Sequence, residues 1–148
     1  MKILSLAISV LILASCSTTP SNDTGRYRLV NAPVSWTQAK ILAEQNGAHL
    51  ATFSSREELQ LFMSTIPDRG VYWIGLSDED EEGVWRWVDG TPLIPEMQSN
   101  LELGGFRGVR DYAHTTLQGQ LGSRADSGVL PRGFNGKPQV DGYIMEFD

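Results

Sequence analysis

The chain has 148 residues with 12 basic and 18 acidic side chains, a net charge of −6 and 41% hydrophobic residues. That acidic balance argues against nucleic acid or an anionic membrane surface as the ligand of the folded part. One cysteine and two histidines leave no disulfide within a single chain and no zinc site of the usual Cys/His kind.

The chain opens on one charged residue, Lys2, then a short apolar run from Ile3 to Leu13, then Leu13-Ala14-Ser15-Cys16. The run is too short for a permanent membrane span, which takes about 20 residues. A charged start, an apolar core and small residues before a cut site describe a secretory signal. The last four residues resemble the lipobox of bacterial lipoproteins. That resemblance implies removal of residues 1–15, lipidation (including palmitate) of Cys16, and a lipid anchor in the bacterial cell envelope. Ser17 after the cysteine points to the outer membrane. Several acyl chains anchor stably where one would bind reversibly. Loss of Lys2 with the signal takes the net charge to −7. Residues 16–25, rich in Ser, Thr, Asn and Gly, then read as a lipidated flexible tether, and residues 26–148 as one folded domain.

Tyr27 to Val30 is expected to form a short strand. Ser35 is an N-cap candidate with Gln38 three residues on, and Trp36, Ala39, Leu42 and Ala43 share one helical face. Asn46-Gly47 stops that helix. A second helix is expected to start at Ser54, with Glu57 closing its capping box and Leu59, Phe62, Met63 and Ile66 as its buried stripe. Pro67 ends it. Val71 to Leu76 and Val84 to Val88 read as strands, separated by an acidic turn from Asp78 to Gly83 that is expected to be a solvated hairpin. The stretch from Gly104 to Gly142 holds nine glycines and two prolines and reads as mostly loop. Tyr112 to Leu117 and Tyr143 to Phe147 are the strand-like pieces of that half.

Trp36 to Ala51, then Trp73-Ile74-Gly75-Leu76, then Trp85-Arg86-Trp87 with Asp89-Gly90, then Tyr143 to Glu146, resemble the C-type lectin-like domain. The likeness runs from about Tyr27 to Asp148. It implies an α+β fold: two helices, small antiparallel sheets and a long loop region. The tryptophans are expected to be core. Gly75 is expected where no side chain fits. The terminal strand is expected to return beside the first. Three positions that carry cysteine in the family read Ala43, Tyr112 and Met145, and the fourth falls near Asp126.

Sugar-binding members of that family hold calcium in the long loop. They use a Glu-Pro-Asn or Gln-Pro-Asp tripeptide, a Glu beside the next strand and a Trp-Asn-Asp. Aligned here, these positions read Gly105-Phe106-Arg107, Arg110 and Leu121-Gly122-Ser123. Calcium takes six to eight oxygen ligands, and arginines supply positive charge instead. No metal and no cofactor is therefore expected in the loop. Phe106, Arg107, Arg110, Tyr112 and Arg124 are the candidate ligand-binding residues, because arginines and aromatics dominate contact hot spots and arginine grips carboxylate or sulfate. Arg132, Phe134 and Lys137 lie in the same loop. Glu57, Glu58 and Glu146 resemble the positions of a second, non-sugar calcium site, although capping already accounts for Glu57.

His114 has no nearby Ser or Cys nucleophile with Asp support, and no phosphate loop, catalytic carboxylate pair or dinucleotide fingerprint is present. Gly105 to Arg110 is reminiscent of the formylglycine-generating enzymes, but their catalytic cysteines are absent. An enzyme is not expected, and no catalytic residue is assigned. The expected function is an anchored extracytoplasmic recognition module for a protein or an anionic glycan, without calcium. A calcium-dependent carbohydrate-binding lectin and a non-binding structural or accessory envelope lipoprotein are the alternatives.

Overall fold

The structure is a computed structural model. It describes residues 25–66, 70–99, 111–116, 120–124 and 140–148. Along the chain run β1 (Tyr27–Val30), α1 (Trp36–Gln45), β2 (His49–Leu50), α2 (Arg56–Thr65), β3 (Tyr72–Ser77), β4 (Arg86–Trp87), α3 (Pro95–Gln98), β5 (Tyr112–Thr115), β6 (Leu121–Arg124) and β7 (Gly142–Glu146). The seven strands of the described residues join one sheet. Its main order is β1-β7-β3-β5-β6, with β2 added on β7 and β4 on β3. Small antiparallel sheets were expected; instead the strands form one mixed sheet, since β7 runs parallel to β3. The terminal strand does return to the first: Tyr27 lies opposite Glu146 and Val30 opposite Tyr143.

Alternation along the strands divides the core in two. Tyr72, Ile74 and Leu76 of β3 face one cluster together with Ile144, Ala113, Trp85, Trp87 and the α2 residues Leu59 and Phe62. Trp73, Tyr143 and Met145 face the other, with Trp36, Ala39 and Ala43 of α1. Fully burying one such large side chain stabilises by about 1.5–3 kcal/mol. Ala43 and Met145, aligned with family cysteines, pack in the same cluster.

Helix α1 follows its sequence signals. The Ser35 hydroxyl accepts from the Gln38 N–H at 3.2 Å and the Gln38 side chain accepts from the Ser35 N–H at 3.3 Å. Gly47 takes a positive φ of 70° at the helix stop. In α2 the cap is shifted by one residue. Ser55, not Ser54, accepts from the Glu58 N–H at 3.1 Å, and the Glu58 carboxylate bonds both the N–H and the hydroxyl of Ser54. Glu57 is exposed.

Candidate functional site

One end of the sheet gathers the chemistry. β3 finishes there, β5 starts there and β6 finishes there. Tyr112 is opposite Ser77 on one side and Arg124 on the other. Beyond this row, the Asp78 N–H donates to the Asp111 carbonyl at 3.0 Å. Two of the candidate ligand-binding residues, Tyr112 and Arg124, are thereby brought to one row of the backbone. Phe106, Arg107 and Arg110 lie outside the described residues, as do Arg132, Phe134, Lys137, Asp126, Cys16 and the side chain of Arg124.

Tyr112 is held from within the chain. Its ring lies 4.6 Å from that of Trp36, and its hydroxyl donates to Glu79 at 2.8 Å. Trp36 is fixed in turn by its indole N–H, which donates to the Ile74 carbonyl at 2.7 Å, and the Lys40 ammonium sits 5.5 Å from its ring centre. Tyr112 therefore positions the sheet end against α1.

The acidic turn after β3 differs from the solvated hairpin its composition suggests. Asp78 is buried at 6% exposure. One carboxylate oxygen, Oδ2, accepts from the Gly83 N–H at 2.8 Å, which closes the turn. Among the described residues, the other, Oδ1, is buried without a hydrogen-bond partner, and so are Trp85 Nε1 and Ser123 Oγ. Register places all three near this sheet end. Leu76 pairs with Trp87 and Ser77 with Arg86, which brings Trp85 alongside Asp78. Ser123 pairs with Ala113, one row inside Tyr112. Buried polar atoms are nearly always hydrogen-bonded, so three exceptions near one end mark it out. Sequence reading missed Asp78 because a five-residue acidic run looks uniformly solvated. Burial pushes the Asp78 carboxyl above its usual value, the nearby Glu82 and Asp111 charges add to that, and the Gly83 N–H opposes it.

The C-type lectin-like resemblance brings calcium with it, and the residues can be tested for fit. Strand β6 holds the positions aligned in sequence with the family's Trp-Asn-Asp. Leu121 and Ser123 are buried, and a side chain at Gly122 would meet the His114 ring at 2.6 Å. It supplies neither carboxylate nor amide oxygen. Among the described residues, no group of three or more His, Cys, Asp or Glu side chains is placed to hold a metal ion. Asp78 offers one free oxygen, far short of a calcium cage.

Glu58 and Glu146, by contrast, do come together, but around an arginine. The Arg26 guanidinium pairs with Glu146 and lies 3.5 Å from Glu58. Glu146 also accepts from the Thr52 N–H and hydroxyl at 2.7 and 2.8 Å. Glu58 accepts from the Tyr27 hydroxyl at 2.8 Å. His49 packs nearby, its Nδ1 2.8 Å from the Leu50 carbonyl oxygen. His114 is buried edge-on against Trp73, which gives it a core role.

The order of elements and the placement of Trp73, Gly75, Trp85 and Trp87 can now be compared with known proteins. The model of the lectin C-type domain family matches residues 32–114, more than half of the chain. The chain belongs to this family. Among relatives of this lectin domain, mouse C-type lectin domain family 4 member F is 44% identical over 73 residues, 49% of this chain and 12% of that protein. The chain thus spans only a small part of the curated relatives it matches. A solved mouse scavenger receptor C-type lectin carbohydrate-recognition domain is 25% identical with a TM-score of 0.59, covering 82% of this chain and 90% of that one. The trimeric Kupffer cell C-type lectin receptor Clec4f is 29% identical with a TM-score of 0.58, covering 82% and 77%. The α+β lectin fold read from the sequence is therefore that of solved family members. C-type lectin domains are recognition modules for carbohydrate or protein, and members are in general binding proteins and not enzymes. The relatives compared are mammalian, and the family model matches residues 32–114, which do not include Cys16.

Proposed function

We propose that this lectin domain is a lipid-anchored recognition module of the bacterial cell envelope, binding a protein or an anionic glycan without calcium. The observation that carries the calcium-free reading is β6. Where calcium-dependent sugar binding needs amide and carboxylate oxygens, this strand offers an apolar side chain, a glycine under the His114 ring and a buried hydroxyl. Arg107 and Arg110, which stand at two of the family's ligand positions, and Arg124 in the row opposite Tyr112 supply positive charge to a carboxylate or sulfate. Phe106 supplies an apolar anchor beside them. The anchor reading rests on Leu13-Ala14-Ser15-Cys16, and the net negative charge supports a partner other than nucleic acid.

The test is a screen of the tether-free domain against glycan and protein arrays, with calcium and with EDTA. Binding unchanged by EDTA, weakened by salt and lost in Arg107→Ala/Arg110→Ala is the expected result. The anchor is tested by Cys16→Ala in the full chain, which is expected to abolish palmitate labelling. Palmitate incorporation that persists in that variant overturns the anchor.

A further inference from the structure

Glu58 and Glu146 resemble the positions of a second, non-sugar calcium site of the family, and the residues do not fit that ion. All four carboxylate oxygens are already engaged. Glu146 Oε1 pairs with Arg26, and its Oε2 takes the N–H and hydroxyl of Thr52. Glu58 Oε1 takes the Tyr27 hydroxyl and faces Arg26, and its Oε2 takes the N–H and hydroxyl of Ser54. Calcium takes six to eight oxygens at 2.3–2.6 Å, and here donors stand where such a cation would need to be. We propose that Arg26 is a built-in cation. Its guanidinium holds the place of a divalent ion and ties β1, α2 and β7 together by covalent membership of the chain, not by metal supply.

The geometry favours this over an ordinary surface pair, which is worth about 0–1 kcal/mol. Glu146 is only 1% exposed, so its charge cannot fall back on water when the cation is removed. Arg26 immediately precedes Tyr27, whose register partner is Glu146. The same Glu146 pairs on its other side with His49 of β2. The Arg26 guanidinium lies 5.4 Å from the Tyr27 ring centre, and Tyr27 bonds Glu58. One planar fork thus serves two carboxylates from segments far apart in sequence, a task suited to arginine.

The experiment compares thermal unfolding of the full chain and its variants in EDTA and in millimolar calcium. The wild type and Glu146→Gln are expected to respond to calcium identically, because these carboxylates bind none. Arg26→Met keeps the aliphatic stem and removes the charge. It is expected to unfold several degrees lower in EDTA and to regain part of the loss in calcium. That regain is expected to vanish in Arg26→Met/Glu146→Gln. Arg26→Lys, a milder change that guards against outright misfolding, is expected to lie between and to gain nothing from calcium. A wild-type calcium response that disappears in Glu146→Gln overturns the proposal, because metal would then bind beside Arg26. So does an Arg26→Met protein as stable as wild type in EDTA, or one that calcium does not rescue.

Discussion

Single residues carry two opposed pH effects in this domain. Asp78 has a raised carboxyl pKa, from burial first and then from the charges of Glu82 and Asp111, against the Gly83 N–H. A folded-state pKa above the unfolded one means that the native chain takes up its proton first. Stability therefore rises as pH falls from neutrality through the Asp78 value. Glu58 runs the other way. Burial raises it, but the bonds from Ser54 and Tyr27 and the Arg26 charge outweigh that and hold it below the usual glutamate value. Its contribution is present above the unfolded value and is lost as pH falls through the folded one. Melting temperature against pH should then peak on the acid side of neutrality. Asp78→Asn should flatten the rise and Glu58→Gln the acid fall. A peak unchanged by Asp78→Asn would contradict the assignment. Gly75 is the other decisive single position. A β-carbon there would meet the Leu50 carbonyl oxygen at 2.5 Å and the Val88 side chain at 2.8 Å. Backbone cannot yield as a side-chain tip can, so Gly75→Ala should cost about 1–3 kcal/mol, read from the denaturant midpoint. The sequence announced Gly75 through its neighbours in Trp-Ile-Gly-Leu. It could not announce Asp78, whose burial depends on how the turn folds back.

Elements whose signals are local were legible, and those made by partners were not. Helix α1 carries its cap, its stripe and its stop within the thirteen residues from Ser35 to Gly47, and all three form. Helix α2 has two adjacent serines and two adjacent glutamates, so its capping pattern fits two registers. The structure takes the later one, because Glu58 in that register also reaches Tyr27 and Arg26. Ser55→Ala should accordingly cost about 1 kcal/mol as a lost N-cap. Ser54→Ala, which removes one hydroxyl bond to Glu58, should cost less. Equal or reversed losses in the denaturant midpoint would mean that the cap is at Ser54. Strands β2 and β6 went unread. The two residues of β2 are too few for a pattern, and Leu121 to Arg124 lacks alternation. Each is a strand because β7 or β5 lies beside it. The five residues read as one strand from Val84 to Val88 do alternate in burial, but only Arg86 and Trp87 have register partners on β3.

At the scale of the molecule, packing and ion pairs hold the described residues together. Ala43 and Met145 pack where cysteines would stand, and Arg26 holds Glu58 and Glu146 together. The fold was legible because its tryptophans and glycines are forced by packing and close approach. The candidate binding residues are legible only as types, and Arg107 and Arg110 lie outside the described residues. Retention of the domain on immobilised mannose or galactose, in calcium and in EDTA, separates calcium-free recognition from ordinary lectin binding. No calcium-dependent retention is expected on either resin, while the ligand found by array binding is held equally in calcium and in EDTA. Retention on either sugar that requires calcium and is released by EDTA would contradict calcium-free recognition.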